Sequence, residues 1–229
     1  MSTPTADALL RLWEQGQGAS SPERALLLLA AAEPEPSWDA LGDLPLGVRD
    51  GRLLSLRERL FGRTLTATAI CPGCGERVEL PLDAEALRVP EPQAREIEMG
   101  GFRFRLPNAR DLLACATCAD VETAERRLLD RCLLTLESPS EDDRARIGAR
   151  MAEADPGADL ELDLGCPACE AHWTESLDVA DFLWTELQDW ALRILRDVHL
   201  LAATYGWREA DILALSPLRR RLYLEMAAP

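Results

Sequence analysis

The sequence predicts an α+β protein in which a small antiparallel, zinc-ribbon-like sheet is flanked by helices. Apolar residues near both ends of the chain recur at the spacing of amphipathic helices. Two Cys-Pro-x-Cys segments, Cys71–Cys74 and Cys166–Cys169, each lie between stretches of alternating residues that are typical of strands. No regular strand–helix–strand alternation is visible, so a parallel, doubly wound sheet is not expected.

The first part of the chain is predicted to be helical. Residues 9–13 carry the apolar stripe of one helix. Ser21 is predicted as the N-cap of a second helix, because Pro22 and Glu23 suit a first helical turn. A third helix is predicted over about 47–61, with most of its leucines buried.

Each Cys-Pro-x-Cys turn, called a knuckle below, is predicted to join two strands. Strands are expected over 64–70 and 77–82 for the first knuckle, and over 160–164 and 172–177 for the second. The two copies share one offset of 95 residues, which relates Cys71 to Cys166, Cys74 to Cys169, Leu82 to Leu177 and Asp83 to Asp178. A constant offset at several positions predicts two equivalent halves of one unit, each followed by a helix start.

The segment between the halves reads as an insertion. A Pro-rich surface loop over 88–94 is followed by a hairpin around Gly100 and Gly101. A helical stretch is predicted over 107–134, and a polar, exposed helix over 139–154.

After the second knuckle the chain is again helical. One long amphipathic helix is predicted over 182–198, broken at Gly206, and Ser216 and Pro217 begin a final helix. The expected organisation has four parts: an N-terminal helical region (1–62), a bipartite zinc-knuckle sheet (63–87 and 157–180), the insertion (88–156) and a C-terminal helical region (181–229).

The two knuckles predict one structural zinc site with Cys71, Cys74, Cys166 and Cys169 as ligands. Each knuckle presents two thiolates from a tight turn, and zinc takes four such ligands in a tetrahedron. A closed site of four thiolates leaves no coordination position for water, so the metal is expected to be structural. The alternative is two packed thiol turns without metal.

The other cysteines and the two histidines are expected to be ordinary structural residues. Cys115 and Cys118 lie in the predicted helical stretch, where small buried cysteines fit as well as a metal pair. Cys132 falls on an apolar stripe and is expected in the core. His172 is expected on a strand surface because four thiolates already saturate zinc, and His199 is expected to have no special role.

The composition excludes several function classes. The net charge is −15, which opposes non-specific binding to nucleic acid. All 25 basic residues are arginine, so a phosphate-loop lysine and a Schiff-base lysine are excluded. No apolar run is long enough to span a membrane, and no secretory signal is visible at the start of the chain, so a cytoplasmic protein is expected.

The motifs of common enzymes are missing as well, and no enzyme is predicted. There is no His-Glu-x-x-His, no Gly-x-Ser-x-Gly and no Gly-rich phosphate loop. Two alternatives stay open: a zinc-ribbon module that binds nucleic acid or acts in transcription, and a thiol redox protein with a reactive cysteine. Acidic residues around both knuckles weigh against the first, and the position of both knuckles between strands weighs against the second.

Several segments together resemble a known family. They are Leu9–Glu14, Leu44–Arg57, the knuckles Cys71–Gly75 and Cys166–Cys169, and the distinctive segment Tyr205–Tyr223. The chain resembles zinc-knuckle proteins encoded in baseplate gene clusters of contractile-tailed phages and phage-like contractile injection systems, related to the baseplate hub assembly protein of T-even phages. One departure is Glu170, where such knuckles carry Gly after the second cysteine, and a distorted second turn is expected there.

The resemblance implies a non-enzymatic structural or assembly protein, chaperone-like in character, of a contractile tail baseplate or hub. The partners implied are other tail proteins, namely hub, tube or spike components, with no nucleic acid, membrane or small-molecule substrate. The expected location is the cytoplasm during assembly, and then the phage or injection-system particle. The aromatic and arginine residues of 182–226 predict a docking surface there.

Overall fold

Ten α-helices and six strands make up residues 3–227, the part of the chain that this computed structural model describes. Residues 1–2 and 228–229, at the outer ends of the two predicted terminal regions, lie outside it. The helices are α1 Ala6–Gln15, α2 Ser21–Ala32, α3 Trp38–Gly42, α4 Leu46–Phe61, α5 Ala109–Cys115, α6 Val121–Cys132, α7 Glu141–Ala154, α8 Val179–Tyr205, α9 Glu209–Leu213 and α10 Pro217–Ala227. The strands are β1 Thr64–Ile70, β2 Arg77–Asp83, β3 Glu96–Met99, β4 Phe102–Arg105, β5 Leu160–Gly165 and β6 His172–Leu177.

The predicted α+β class is confirmed, and the strands form three separate antiparallel hairpins. β1 pairs with β2, β3 with β4, and β5 with β6, each as a two-stranded sheet. The two knuckle hairpins, called the first ribbon (β1 and β2) and the second ribbon (β5 and β6), therefore do not join into one sheet. Their tips meet through side chains instead of through backbone hydrogen bonds.

The main core lies where the terminal helices enclose the bases of both ribbons. It consists mainly of leucines from α1, α2, α4 and α8, several of them completely buried, such as Leu28, Leu53 and Leu183. Leu65 at the base of the first ribbon is also fully buried, and Leu160 at the base of the second packs against the same core. Burial of these faces anchors both ribbons, because an isolated two-stranded hairpin is at best marginally stable in water.

An ion pair between α4 and α8 reinforces this core. The Arg57 side chain is 4% exposed and donates to Glu186 through Nε at 2.7 Å and Nη2 at 2.5 Å. Its Nη1 donates to the Gly62 carbonyl at 2.6 Å, which satisfies the end of α4. The guanidinium therefore ties two helices that belong to opposite ends of the chain.

The helix boundaries differ from the expectation in a few places. The N-cap of α2 is Ser20, one residue before Ser21, and Glu23 accepts hydrogen bonds from the Ser20 backbone and hydroxyl. The stretch 107–134 divides into α5 and α6, because Asp120 caps a new helix by accepting from the Thr123 N–H at 2.7 Å. The short helices α3 and α9 were not anticipated, since five residues carry too little periodicity to detect.

The segment between the ribbons has a small core of its own. Phe104 of the central hairpin is fully buried with Cys132 at the end of α6, and Ile147 and Met151 of α7 close over them. α7 is thus half-buried in character and not the wholly exposed helix that its polar sequence indicated.

The C-terminal region folds back on α8. Gly206 ends α8 in the left-handed conformation, with φ of 69°. Tyr205, Trp207 and Tyr223 then pack on one another, with ring centroids 4.7 Å apart for the first pair and 4.8 Å for Trp207 and Tyr223. Trp184 is buried in the main core, with the Arg24 guanidinium 4.8 Å from its ring centroid. Much of the aromatic content of 182–226 therefore packs within the molecule.

None of the helices within residues 3–227 combines the length and the apolar composition that crossing a bilayer requires.

Candidate metal centre

The two ribbons are equivalent in their strand register. Leu65 pairs with Leu82 in the first ribbon, and Leu160 pairs with Leu177 in the second. Each residue of the second ribbon that takes part in this pairing lies 95 positions after its counterpart in the first. The internal repeat predicted from sequence is thus present in the backbone pairing. The helix start expected after the first ribbon is only a turn, whereas α8 begins directly after the second.

The first knuckle is closed by backbone hydrogen bonds. The Cys71 N–H donates to the Glu76 carbonyl at 2.8 Å, and the Gly75 N–H donates to the Cys71 carbonyl at 2.9 Å. Gly75 takes the left-handed conformation, with φ of 76°. This turn brings Cys71 and Cys74 to the same side of the ribbon tip.

The second knuckle repeats the same two hydrogen bonds. The Cys166 N–H donates to the Ala171 carbonyl at 2.9 Å, and the Glu170 N–H donates to the Cys166 carbonyl at 3.0 Å. Glu170 takes φ of 60°, the one positive value among the described non-glycine residues. The distortion expected from a glutamate at this position is therefore absent: Glu170 adopts the glycine-like conformation.

The four predicted ligands come together at the ribbon tips. The Sγ atoms of Cys71, Cys74, Cys166 and Cys169 all lie within 4.8 Å of one another, and this is the one such group found among the described residues. Cys71 Sγ lies 3.5 Å from Cys169 Sγ, and Cys74 Sγ lies 3.7 Å from Cys166 Sγ. In a tetrahedron with Zn–S bonds of about 2.3 Å, neighbouring sulfurs are about 3.8 Å apart. The cluster could therefore hold a metal ion, and these two distances are close to the tetrahedral value.

Small residues allow the two knuckles to approach closely. A Cβ atom at Gly73 would lie 3.3 Å from the Ala171 Cβ and 3.5 Å from the Cys169 Sγ of the opposite knuckle. The Gly73 N–H also donates to Cys71 Sγ at 3.3 Å. Gly73 therefore serves both the fit between the knuckles and the stabilisation of a thiolate.

The thiols influence one another strongly. Burial raises the pKa of the Cys71 thiol. Hydrogen bonds from the backbone N–H groups of Cys74 and Gly73 and from neighbouring thiols lower it by more, so that the pKa falls to about 7. A hydrogen bond from the Glu76 backbone lowers the pKa of the Cys74 thiol. Hydrogen bonds with the other thiols, of which that with Cys169 has the largest effect, act in the opposite direction together with burial, and they raise the pKa to about 12. The Cys71 thiol therefore loses its proton more readily than the Cys74 thiol. A bound cation favours the thiolate form of each cysteine that ligates it.

One side of the cluster is covered by apolar side chains. Cys71 and Cys166 are buried, and Val78, Leu80 and Trp173 from the return strands pack against them. Cys74 and Cys169 are exposed on the other side. Sequence reasoning missed this cover, although the alternation of the return strands was a signal that one face of each is apolar.

The remaining candidate residues are not members of the cluster. His172 is an exposed strand residue and Cys132 is fully buried, both as expected. Cys115 ends α5 and Cys118 lies in the connection to α6, both half-buried. Cys115 is therefore helical, as expected, whereas Cys118 is not, because the chain leaves α5 before Asp120 begins α6. Neither cysteine is fully buried, so the expected core position is wrong for both.

A large cavity lies outside the cysteine cluster. It measures about 870 Å³ and lies beside α6, α7 and the start of β5. Neither a cysteine nor a histidine is among the residues that line it. The four clustered cysteines therefore do not line this cavity.

Comparison of the chain with known proteins gives a match to one protein-family model. Neither the curated proteins nor the solved structures contain a significant match. The model of the T4 bacteriophage base plate protein matches residues 34–184, which include both ribbons and all four clustered cysteines. These residues make up well over half of the chain. The chain therefore belongs to the T4 bacteriophage base plate protein family.

Proposed function

We propose that this protein is a non-enzymatic component of a contractile-tail baseplate, held in shape by one structural zinc ion bound to Cys71, Cys74, Cys166 and Cys169. The observation that carries the proposal is the family match over 34–184, which spans the whole cysteine cluster. A structural role in a phage baseplate follows from the family. The identity of the metal, the role in assembly and the partners go beyond the family match and are part of this proposal.

The chemistry of the cluster supports zinc in a structural role. Four cysteine thiolates are a preferred ligand set for zinc, and a site with four protein ligands leaves no position for water. The metal would connect two knuckles that are 95 residues apart in sequence. Metal binding would therefore contribute directly to folding, as in other small zinc domains.

The domain organisation in this proposal follows the two ribbons. Residues 63–87 and 157–180 form the zinc-knuckle unit, between helical regions 1–62 and 181–229. Residues 88–156 are an insertion, and their separate small core supports this division.

The surface of the ribbons supports a protein partner over a nucleic acid. Six acidic residues on or beside the ribbons are exposed: Glu76, Glu79, Glu161, Asp163, Glu170 and Glu175. Such a surface repels phosphate backbones. We expect the partners to be hub, tube or spike proteins, met in the cytoplasm during assembly, with the protein retained in the particle or released as an assembly factor.

Co-expression with hub, tube and spike proteins of a contractile tail tests the proposal. We expect the protein to co-purify with at least one of them and to contain one zinc per chain. Cys71→Ser should abolish both zinc content and co-purification, whereas Cys115→Ser should leave both intact. A zinc-free wild-type protein, or a monomer that ignores every tail component but binds DNA at moderate salt, would contradict the proposal.

A further inference from the structure

A second cavity, whose lining includes four arginines, lies between α8 and α10. It measures about 350 Å³, within the range of about 300–1,000 Å³ that is usual for ligand sites. α8 contributes one helical face to it and α10 contributes another. The charged lining residues are Arg193, Arg196 and Asp197 from α8, and Arg220 and Arg221 from α10.

Arg220 is the buried arginine of this cavity. It is 7% exposed, and none of the described residues 3–227 forms a hydrogen bond with its Nη1. Its nearest carboxylate is Asp197, whose Oδ2 lies 4.0 Å from Arg220 Nε, at the limit of an ion pair. Leaving a buried charged donor unsatisfied is costly, and such a group calls for a partner beyond those that residues 3–227 supply.

The charge around the cavity is opposite to that of the whole protein. Four arginines and one carboxylate line it, in a chain of net charge −15. Arg221 has only a long contact with Glu225, at 3.8 Å, on the exposed side of α10. The local excess of positive charge would attract an anion.

Arg220 and Arg221 lie in the second turn of α10, and the first turn of this helix has no acidic residue that could pair with them. Burial also lowers the pKa of the Arg220 guanidinium and raises that of the Asp197 carboxyl, as expected for a charge pair that is not fully compensated.

We propose that this cavity is a carboxylate-binding site that takes an Asp or Glu side chain of a partner baseplate protein. The planar guanidinium fork of Arg220 suits a carboxylate, and the apolar side chains of Trp190, Ile194 and Leu224 suit the aliphatic part of such a side chain. Asp197 inside the cavity disfavours a doubly charged phosphate. The identity of the partner rests on the proposed function, whereas the anion site itself does not.

Titration of the isolated wild-type protein with acetate tests the site directly. NMR signals of the Trp190 indole and the arginine Nε–H groups report binding, and chloride at equal ionic strength is the control. We expect saturable shifts with acetate and weaker binding of inorganic phosphate. Absence of saturable shifts with acetate, or phosphate binding more tightly than acetate, would overturn the proposal.

Variants separate the site from effects on folding. Asp197→Asn removes the competing carboxylate and should tighten acetate binding about threefold. Arg193→Gln and Arg196→Gln, on the exposed rim, should each weaken it about threefold. Arg150→Gln is the matched control on α7 and should change nothing. A gain of affinity in Asp197→Asn cannot come from unfolding, so an unchanged or weakened affinity in that variant counts against the proposal.

Co-purification with tail proteins tests the partner. The double variant Arg193→Gln/Arg196→Gln should retain zinc and lose co-purification. If it binds tail proteins normally, the assignment of the cavity to a partner side chain is wrong. If instead the wild-type protein binds acetate but no tail protein, the failure lies in the proposed function and the anion site stands.

Discussion

Gly75 and Glu170 occupy the same left-handed position, directly after the second cysteine of their respective knuckles, with φ of 76° and 60°. Each N–H donates to the carbonyl of the first cysteine of its knuckle, at 2.9 and 3.0 Å. The hydrogen bonding requires this conformation whichever residue is present. A glutamate is therefore held in a conformation that glycine adopts without strain.

Replacing Glu170 by glycine is expected to stabilise the protein. The left-handed conformation costs a non-glycine residue about 1–2 kcal/mol, and the greater freedom of glycine in the unfolded chain offsets part of the gain. We expect Glu170→Gly to raise the free energy of unfolding by about 0.5–1 kcal/mol in urea denaturation at fixed metal content. Gly75→Ala, where no atom obstructs a Cβ, should lower it by about 1 kcal/mol. Equal losses in both variants would contradict the strain at Glu170.

Loss of one clustered cysteine is expected to cost far more than loss of a cysteine elsewhere. Apparent binding free energies of structural zinc are about 10–16 kcal/mol. Much of this free energy is lost when one of the four cysteine ligands is replaced. Cys166→Ser should lose the metal and lower the thermal midpoint steeply, as should chelation of the wild-type protein. Cys115→Ser, a half-buried residue outside the cluster, should cost about 1 kcal/mol or less. Similar midpoints for the two variants would exclude a structural metal.

Breaking the ion pair between α4 and α8 is expected to destabilise the core. Glu186→Ala leaves the buried Arg57 guanidinium without its carboxylate, and breaking a buried pair costs about 3–5 kcal/mol. We expect the lower end of this range, because 25% of the Glu186 side chain is exposed to water. Glu153→Ala removes the exposed pair with Arg150 and should cost about 0.5 kcal/mol or less by the same denaturation measurement. If Glu186→Ala cost no more than Glu153→Ala, the Arg57 guanidinium would be satisfied without the Glu186 carboxylate.

The pH dependence of stability should carry the signature of Asp155. Burial raises the pKa of this carboxyl, despite the Gly47 N–H that donates to it at 3.0 Å. A carboxyl with a raised folded-state pKa favours the folded protein at low pH, and that contribution is lost as the pH rises through the folded pKa. Asp155→Asn should therefore gain stability relative to wild type at about pH 7, and the difference should shrink towards about pH 4.

Comparison of the two proteins at each pH cancels the effect of acid on the cysteine cluster, which both share. If the difference between Asp155→Asn and wild type grows as the pH falls, the Asp155 pKa is lowered in the folded protein and the sign of the argument is wrong.

Much of the candidate site could be predicted because its determinants are local. Alternation along 64–70 and 77–82 specifies a strand pair, and the Cys-Pro-x-Cys turn between them specifies the register, since turn length and pleat determine which residues face each other. The constant offset of 95 residues then indicated that the second knuckle is built in the same way. The helix that follows each copy was less predictable, because Asp83 and Asp178 both suit a cap but only Asp178 is followed by a long apolar stripe.

The sequence by itself determined the α+β class, the four cysteines and their arrangement in two equivalent knuckles, because turns, strands and helices depend on residues that are near one another in the chain. Only the tertiary structure decided that the ribbons stay separate sheets, that Cys71 approaches Cys169 while Cys74 approaches Cys166, and that Arg220 is buried without a full set of partners. These features depend on which surfaces meet when distant segments pack together. Periodicity and spacing indicate which face of each helix or strand is apolar, but they do not specify the other element against which that face is buried.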